Sequence, residues 1–97
     1  MCSSDQLASL LVNYSCDLKK GEAVLIDAVE IPDEFTVELI RAAREAGAIP
    51  LVETRHGRVG RELLRGVTQA QAEMVRDVEM FRMKRVQAYI EIGRAHV

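Results

Sequence analysis

The chain has few of the residue types on which most ligand-binding chemistries depend. Its 97 residues include no tryptophan, two tyrosines and two phenylalanines, so platforms for stacking nucleic-acid bases are not expected. The two cysteines, Cys2 and Cys16, have the spacing of neither a disulfide framework nor a zinc-binding pair. We therefore expect two reduced thiols, as in a cytosolic protein.

The charge balance excludes another class of partner. Thirteen basic and fifteen acidic residues give a net charge of −2, whereas binding to a phosphate backbone requires a basic patch. No apolar run approaches the length of about 18 residues that suggests a membrane span. The N-terminus also lacks the basic and apolar regions of a signal peptide. We expect a cytoplasmic protein with no nucleic-acid partner and no membrane partner.

What is present is a hydrophobic fraction of 48%, distributed in an alternating pattern of helices and strands. The order α-β-α-β-α-α-β predicts the α/β class, with a three-stranded parallel sheet and flanking helices. The predicted strands are 23–29, 49–54 and 86–90, and the first is apolar enough to be buried on both faces. The sequence does not indicate the order of the strands in the sheet.

Helix signals fill the intervals between these strands. A capping box at Ser3 and Gln6 opens the first helix, Pro32 fits the first turn of the second, and Gly47 ends it. A short third helix covers 58–65, and Thr68 with Gln71 forms the capping box of the fourth. The residues predicted to face inward are Leu7, Leu10, Leu11, Tyr14 and Leu18 in the first helix, Phe35, Leu39, Ala42 and Ala46 in the second, Val59, Leu63 and Leu64 in the third, and Met74, Val75, Val78 and Phe81 in the fourth.

A few polar groups lie where α/β proteins place their ligands. Asp27 and Glu53 come near the carboxyl ends of two strands, and each is alternatively a hydrogen-bonding group at the strand edge. The segment 57–60 follows a strand and opens a helix, the position of a phosphate-binding loop. Because it lacks both GxGxxG and a Walker lysine, a purely structural role is favoured, and His56 is interpreted as a solvated loop residue. We predict no catalytic, cofactor-binding or metal-binding residue in this chain.

The ordered pattern as a whole is more specific than any of its parts. The segments concerned are LASLLVNYS (7–15), KGEAVLI (20–26), Ile31–Pro32, LIRAAREAGA (39–48), PLVET (50–54) and RMKRVQAYI (82–90). Together they resemble the N-terminal part of the thermophilic metallo-aminopeptidase family, also called aminopeptidase T or aminopeptidase S. The resemblance covers roughly residues 5–90, and no single motif within it is diagnostic.

The resemblance implies a hydrolase whose divalent metal ions, zinc, cobalt or similar, activate a water that attacks the first peptide carbonyl. Members of the family act on peptide substrates and are usually homodimers. Their Glu, His and Asp metal ligands lie later in the chain, so none can be assigned here. Residues 1–90 would then be a partial N-terminal α/β domain that lacks the metal centre and is inactive alone.

Residues 91–97 depart from the family pattern. The string Ile92–Val97 is encoded by ATC-GGA-AGA-GCA-CAC-GTC, a sequencing-adapter sequence, and the preceding adapter bases AG allow Glu91. We therefore expect a non-native tail, so that His96 is no candidate ligand. Without the helix that should follow a parallel strand at 86–90, we also expect an incomplete domain that aggregates or folds only partly.

A second hypothesis belongs to a different class of function. Asp27, Glu53 and the segment 57–60 are compatible with a small non-catalytic α/β module that binds a nucleotide or a partner protein. A Glu/His/Asp-rich continuation of the parent reading frame would favour the peptidase, whereas a natural stop codon near codon 90 would favour the module.

Overall fold

A three-stranded parallel sheet forms the centre of the protein. The computed structural model describes residues 8–9, 11–15 and 18–93. Its strands are β1 (Ala23–Val29), β2 (Ile49–Arg55) and β3 (Ala88–Gly93). They are arranged in the order β2-β1-β3, and both pairings are parallel. The predicted α/β class is confirmed, and the sheet order, which the sequence left open, places β1 in the middle.

Three α-helices connect the strands. They are α1 (Asp33–Glu45), α2 (Gly57–Leu64) and α3 (Gln69–Arg85). Near the N-terminus, Leu11–Ser15 forms a π-helical turn. The predicted capping box at Ser3 and Gln6 lies outside the described residues. No helix in the described ranges is long and apolar enough to cross a membrane.

One face of the sheet carries the hydrophobic core. Val24 and Ile26 of β1 are fully buried there, and Leu39 of α1 is fully buried against them. The remaining buried members of this core are Ala8, Val12, Leu18, Phe35, Ala42, Ala43, Ala48, Ile90 and Ile92. Strand β1 is buried on both faces. It is the middle strand, and the middle strand of a parallel sheet is covered by other elements on each face.

The sequence signals around α1 locate it to within one residue. Pro32 is the N-cap rather than a first-turn residue, and Asp33 and Glu34 occupy the first turn, where carboxylates interact favourably with the helix dipole. Gly47 follows the helix with a φ of +79°, the left-handed conformation that glycine adopts at low cost. The predicted inward residues Phe35, Leu39 and Ala42 are buried, and Ala46 is half-buried.

The predicted inward face of the first segment is tested only in part, because Leu7, Leu10 and the side chain of Tyr14 lie outside the described residues. Ala8 and Val12 are fully buried, whereas Leu11 is only half-buried. Leu11, which was predicted to face inward, packs against the core that includes Ala8 and Val12. Leu18 is buried as predicted, although it lies after the turn.

The third strand begins two residues later than predicted. Just before the strand begins, Gln87 makes two hydrogen bonds with Ala23. The Gln87 N–H donates to the Ala23 carbonyl at 2.9 Å, and Gln87 Oε1 accepts from the Ala23 N–H at 2.7 Å. The strand then continues through Glu91 and Ile92 to Gly93, in register with the end of β1. The non-native origin of 91–97 stays a prediction, since backbone pairing carries no information about it.

The predicted inward faces of α2 and α3 are wrong. Leu64 of α2 is 72% exposed and Phe81 of α3 is 64% exposed. Large exposed fractions are also found for Val59, Leu63, Met74, Val75 and Val78. Their helical spacing is correct, but nothing among the described residues packs over this face, so spacing alone misassigned them to the core.

Candidate functional site

The second face of the sheet carries a polar cluster centred on Asp27. This residue is 3% exposed and lies on β1, on the face opposite the core. Arg55 Nε donates to its Oδ1 at 2.9 Å, and the Tyr89 hydroxyl donates to its Oδ2 at 2.8 Å. Both carboxylate oxygens are therefore occupied, which offsets the cost of burying the charge.

The cluster extends over β2 to the last helix. Glu53 Oε1 accepts from Arg55 Nη2 at 3.2 Å and from Arg82 Nη2 of α3 at 2.8 Å. Arg55 Nη2 also lies 3.6 Å from Glu79 Oε1 of α3. Arg55 consequently joins one carboxylate from each of β1, β2 and α3. Together with Tyr89 on β3, the network ties all three strands to one helix.

The two side chains that donate to Asp27, Arg55 and Tyr89, both have raised pKa values and therefore keep their protons. Burial raises the pKa of Tyr89 to about 12, and the hydrogen bond to Asp27 and the negative charge of Asp27 act in the same direction. Burial by itself would lower the pKa of the Arg55 guanidinium. The charges of Asp27 and Glu53 outweigh that effect, so the pKa of Arg55 is raised above its ordinary value. Neither group is set up as a general base near neutral pH.

The segment 57–60, which has the sequence position of a phosphate-binding loop, is the first turn of α2. The N–H of Gly57 donates to Oε1 of Glu30 at 3.0 Å. A Cβ at Gly57 would lie 3.2 Å from the same oxygen. Glu30 itself has a φ of +53°, and its N–H donates to the Arg55 carbonyl at 3.0 Å. The helix N-terminus is thus already bound to a carboxylate of this chain, where a phosphate would have to compete with it.

Two clefts border the polar cluster. The smaller, about 220 Å³, lies between the sheet and α3, with Asp27, Arg82 and Tyr89 among its lining residues. The larger, about 640 Å³, runs between α2 and α3 and is bordered by Leu63, Leu64, Val67, Val75 and Met80. The first is lined by paired charges and the second mainly by apolar side chains.

The residues present do not fit a divalent metal ion. No group of three or more His, Cys, Asp or Glu side chains capable of holding a metal occurs among the described residues. Asp27 and Glu53 are the two carboxylates that the sequence placed at strand ends, and both are engaged by arginines. A metal would have to displace these guanidinium groups, so no metal-dependent step is assigned to this part of the chain.

Comparison with known proteins gives a likeness among solved structures. No protein-family profile matches the sequence, and neither does any curated protein sequence. Among solved structures, wild-type AmpT from Thermus thermophilus is similar to this chain, with a TM-score of 0.57 and 24% identity. The likeness covers 69% of this chain and 17% of the AmpT chain. At this identity it shows a shared fold, and the chain spans well under two thirds of AmpT.

Sequence reasoning found only part of the cluster. Asp27 and Glu53 were selected by their strand-end positions, and the strand-edge hydrogen-bonding alternative for both is the one observed. Glu79, Arg82 and Tyr89 were missed because they lie far along the chain and had no local motif. One available signal was Asp27 itself, since an acidic residue in a buried strand requires a partner from a neighbouring element.

Proposed function

We propose that this chain corresponds to the N-terminal segment of a two-metal aminopeptidase of the aminopeptidase T or aminopeptidase S family. The whole enzyme would release N-terminal amino acids from peptides and act as a homodimer. The segment described here would contribute an α/β scaffold, while the metal ligands would be supplied by other parts of the enzyme.

The observation that carries the proposal is the likeness in fold to AmpT, an aminopeptidase. It agrees with the ordered resemblance of 5–90, which rests on the sequence alone. The match to 17% of the AmpT chain is compatible with a segment that holds one part of a larger enzyme. Fold likeness does not by itself transfer an activity, so the proposal depends on both lines of support together.

The internal neutralisation of the polar cluster is consistent with a scaffold role. A hydrolytic site needs a carboxylate or imidazole free to bind a metal or move a proton. Asp27 accepts two hydrogen bonds and Glu53 is paired with two arginines. These groups hold β1, β2, β3 and α3 together, and their removal should affect folding rather than a chemical step.

A direct assay tests the proposal. The purified 97-residue chain is incubated with Zn²⁺ or Co²⁺ and a leucyl-anilide substrate, with AmpT assayed in parallel as a positive control. We expect turnover by AmpT and none by this chain. Metal-dependent hydrolysis by the chain would show that a metal centre is present within it and would contradict the proposed division of labour.

The parent gene provides the complementary test. Reading the source DNA past codon 90 should reveal an open frame whose product has a second half rich in Glu, His and Asp. An in-frame stop codon shortly after that point would contradict the aminopeptidase assignment, whatever the assay of the short chain gives.

A non-catalytic binding module is the second candidate function. The exposed apolar faces of α2 and α3 favour a partner protein, because large contiguous apolar surfaces are unusual on isolated monomers. Nucleotide binding is disfavoured, since Glu30 occupies the N-terminus of α2. Titration calorimetry with ATP and GTP checks this. Saturable binding that is lost in Gly57→Ala but kept in Gly60→Ala would favour a nucleotide module over the scaffold.

A further inference from the structure

The helix α3 makes an unusual contact with the sheet. None of its residues is buried, and only Gln71 and Arg82 are less than exposed. Gln71 is directed back to α2, because its Nε2 donates to the Leu63 carbonyl at 3.0 Å. Among the α3 residues that line the cleft beside the sheet, Arg82 is the least exposed, and Glu79 and Met83 lie there with it. Helices usually pack on sheets through an apolar stripe, whereas two of these three residues are charged.

Arg82 contacts the sheet through a short ion pair. Its Nη2 donates to Glu53 Oε1 at 2.8 Å, and the two side chains are 29% and 34% exposed. The Nε atom of Arg82 is buried and has no hydrogen-bond partner among the described residues. An unsatisfied buried donor is unfavourable, so packing α3 against the sheet in this position has an energetic cost. The second tie from α3 to the sheet, between Glu79 and Arg55, is longer at 3.6 Å.

The two helices α2 and α3 are joined by hydrogen bonds near their connecting turn. The Gln71–Leu63 hydrogen bond links them, and the Val67 N–H donates to the Leu64 carbonyl at 3.4 Å across the connecting turn. At each end, this helical hairpin (57–86) is attached to the flanks of β1. Gly57 is bound by Glu30, and Gln87 is bound by Ala23. The hairpin thus has two attached ends. Between them, its described polar contacts with the sheet are ionic, and Met83 lines the same cleft as Leu25.

We propose that the helical hairpin is a hinged flap held on the sheet by the Arg82–Glu53 ion pair. Higher ionic strength weakens this latch, because partly exposed ion pairs are screened by salt. The flap then swings about the segments near Gly57 and Gln87, and the sheet face that carries Asp27 and Tyr89 becomes open to solvent. This inference concerns the chain itself and does not depend on the aminopeptidase proposal.

A pair of spin labels measures the position of the flap. In a background with Cys2→Ser and Cys16→Ser, labels are attached through Val78→Cys on α3 and Ile49→Cys on β2, which are 52% and 54% exposed. The distribution of label distances is recorded from about 0.01 M to about 1 M salt, over which the Debye length falls from about 30 Å to about 3 Å. We expect a long-distance population that grows about two- to fivefold with salt, the range typical of a partly exposed ion pair.

Three variants separate the latch from general effects of charge. Arg82→Gln should show the long-distance population already at low salt and lose most of the salt dependence. Glu53→Gln should reproduce this behaviour from the other side of the pair. Arg76→Gln is the matched control, because Arg76 lies on the same helix and its ion pair with Asp77 is exposed and 4.0 Å long.

The outcomes decide the proposal. Protection of β1 amides against hydrogen exchange in every variant would show that the sheet is still folded. If the labelled chain with Arg82 and Glu53 intact shows a single short label-to-label distance at every salt concentration, the proposed latch is wrong. Identical distributions for Arg82→Gln and Arg76→Gln would overturn it as well. If Arg82→Gln unfolds, the salt series on the unsubstituted chain and Glu53→Gln still give the answer.

Discussion

The Tyr89 hydroxyl donates a hydrogen bond of 2.8 Å to Asp27, from a position 62 residues later in the chain. Tyr89 lies directly opposite Leu25 in the β1–β3 register, so its ring reaches diagonally to the carboxylate, a distance that aromatic side chains span. Arg55 reaches the other carboxylate oxygen from β2. Asp27 is the point at which both outer strands are fastened to the central one.

Asp27 is buried and accepts from two partly exposed partners, so its removal and that of one partner should have unequal costs. Tyr89→Phe removes one hydrogen bond and leaves Asp27 paired with Arg55, so we expect a loss of about 1 kcal/mol in the free energy of unfolding. Asp27→Ala removes the acceptor of both partners, but Arg55 is 44% exposed and can turn to water, so we expect about 2 kcal/mol. Urea unfolding measures both values. If Tyr89→Phe and Asp27→Ala lower the free energy of unfolding equally, the Asp27–Arg55 pair does not contribute to stability.

The phenol of Tyr89 should titrate late. Its pKa is about 12, against an ordinary value of 10.0, so in a Tyr14→Phe background the remaining tyrosine should ionise near that pH in an ultraviolet titration. Asp27→Asn should bring the pKa back toward its ordinary value, because the adjacent negative charge is removed. An unchanged pKa in Asp27→Asn would show that burial alone sets it.

The same shift makes stability depend on pH in the alkaline range. The folded-state pKa is higher than the unfolded-state pKa, so the protonated phenol favours the folded state. Its contribution is complete below about pH 10 and disappears as the pH rises through about 12. Tyr89→Phe should therefore flatten the fall in unfolding free energy over this window, measured by urea denaturation at successive pH values. A parallel fall in both proteins would exclude Tyr89 as its source.

Substitution by alanine should have opposite effects on the free energy of unfolding at two glycines. Gly47 has a φ of +79°, and a Cβ there would lie 3.0 Å from Cγ of Lys20, so Gly47→Ala should lower the unfolding free energy by about 1 kcal/mol or more. Gly60 lies within α2 with nothing within 4 Å of a new Cβ. Gly60→Ala should be neutral or stabilising by about 0.5–1 kcal/mol. Thermal melts compare the two, and destabilisation by Gly60→Ala would show that its surroundings are tighter than described.

Two leucines that helical spacing assigns to inward faces should differ in their contribution to the free energy of unfolding. Leu39 is fully buried, and Leu39→Ala should cost about 2–5 kcal/mol, enough to unfold a marginal domain. Leu64 is 72% exposed, so Leu64→Ala should change the unfolding free energy by less than about 0.5 kcal/mol. Circular dichroism during urea titration checks both. For the monomeric chain, a large loss in Leu64→Ala would show that Leu64 is buried within the chain itself.

The exposed apolar face of α2 should make the isolated chain self-associate. Replacing Val59, Leu63 and Leu64 together with Gln should shift the chain toward monomer in size-exclusion chromatography with light scattering. Val37→Gln on α1 is the control, because Val37 is 40% exposed and lies on a different helix. A soluble monomer with a sharp cooperative melt in the unsubstituted chain would contradict the expectation of aggregation.

The sequence by itself determined the elements whose signals are local. Strand β1 has the predicted bounds, because the short length and the β-branched residues of the run from Ala23 to Val29 favour a buried strand over a helix. Helix α1 starts next to Pro32 and ends before Gly47, since these residues restrict the backbone wherever they occur. The capping of α3 was half predicted. Thr68 Oγ1 accepts from the Gln71 N–H at 3.1 Å, but the Gln71 side chain binds Leu63 instead of returning to Thr68.

Tertiary structure decided the strand order, the exposure of α2 and α3, and the polar network. Helical periodicity shows which residues share a face, but a face is buried only when another element covers it, and that information is not local. The pairing of Asp27 with Arg55 and Tyr89 depends on β1 lying between β2 and β3. The buried carboxylate could be recognised in the sequence as needing a partner, while the identity of that partner followed only from the order of the strands.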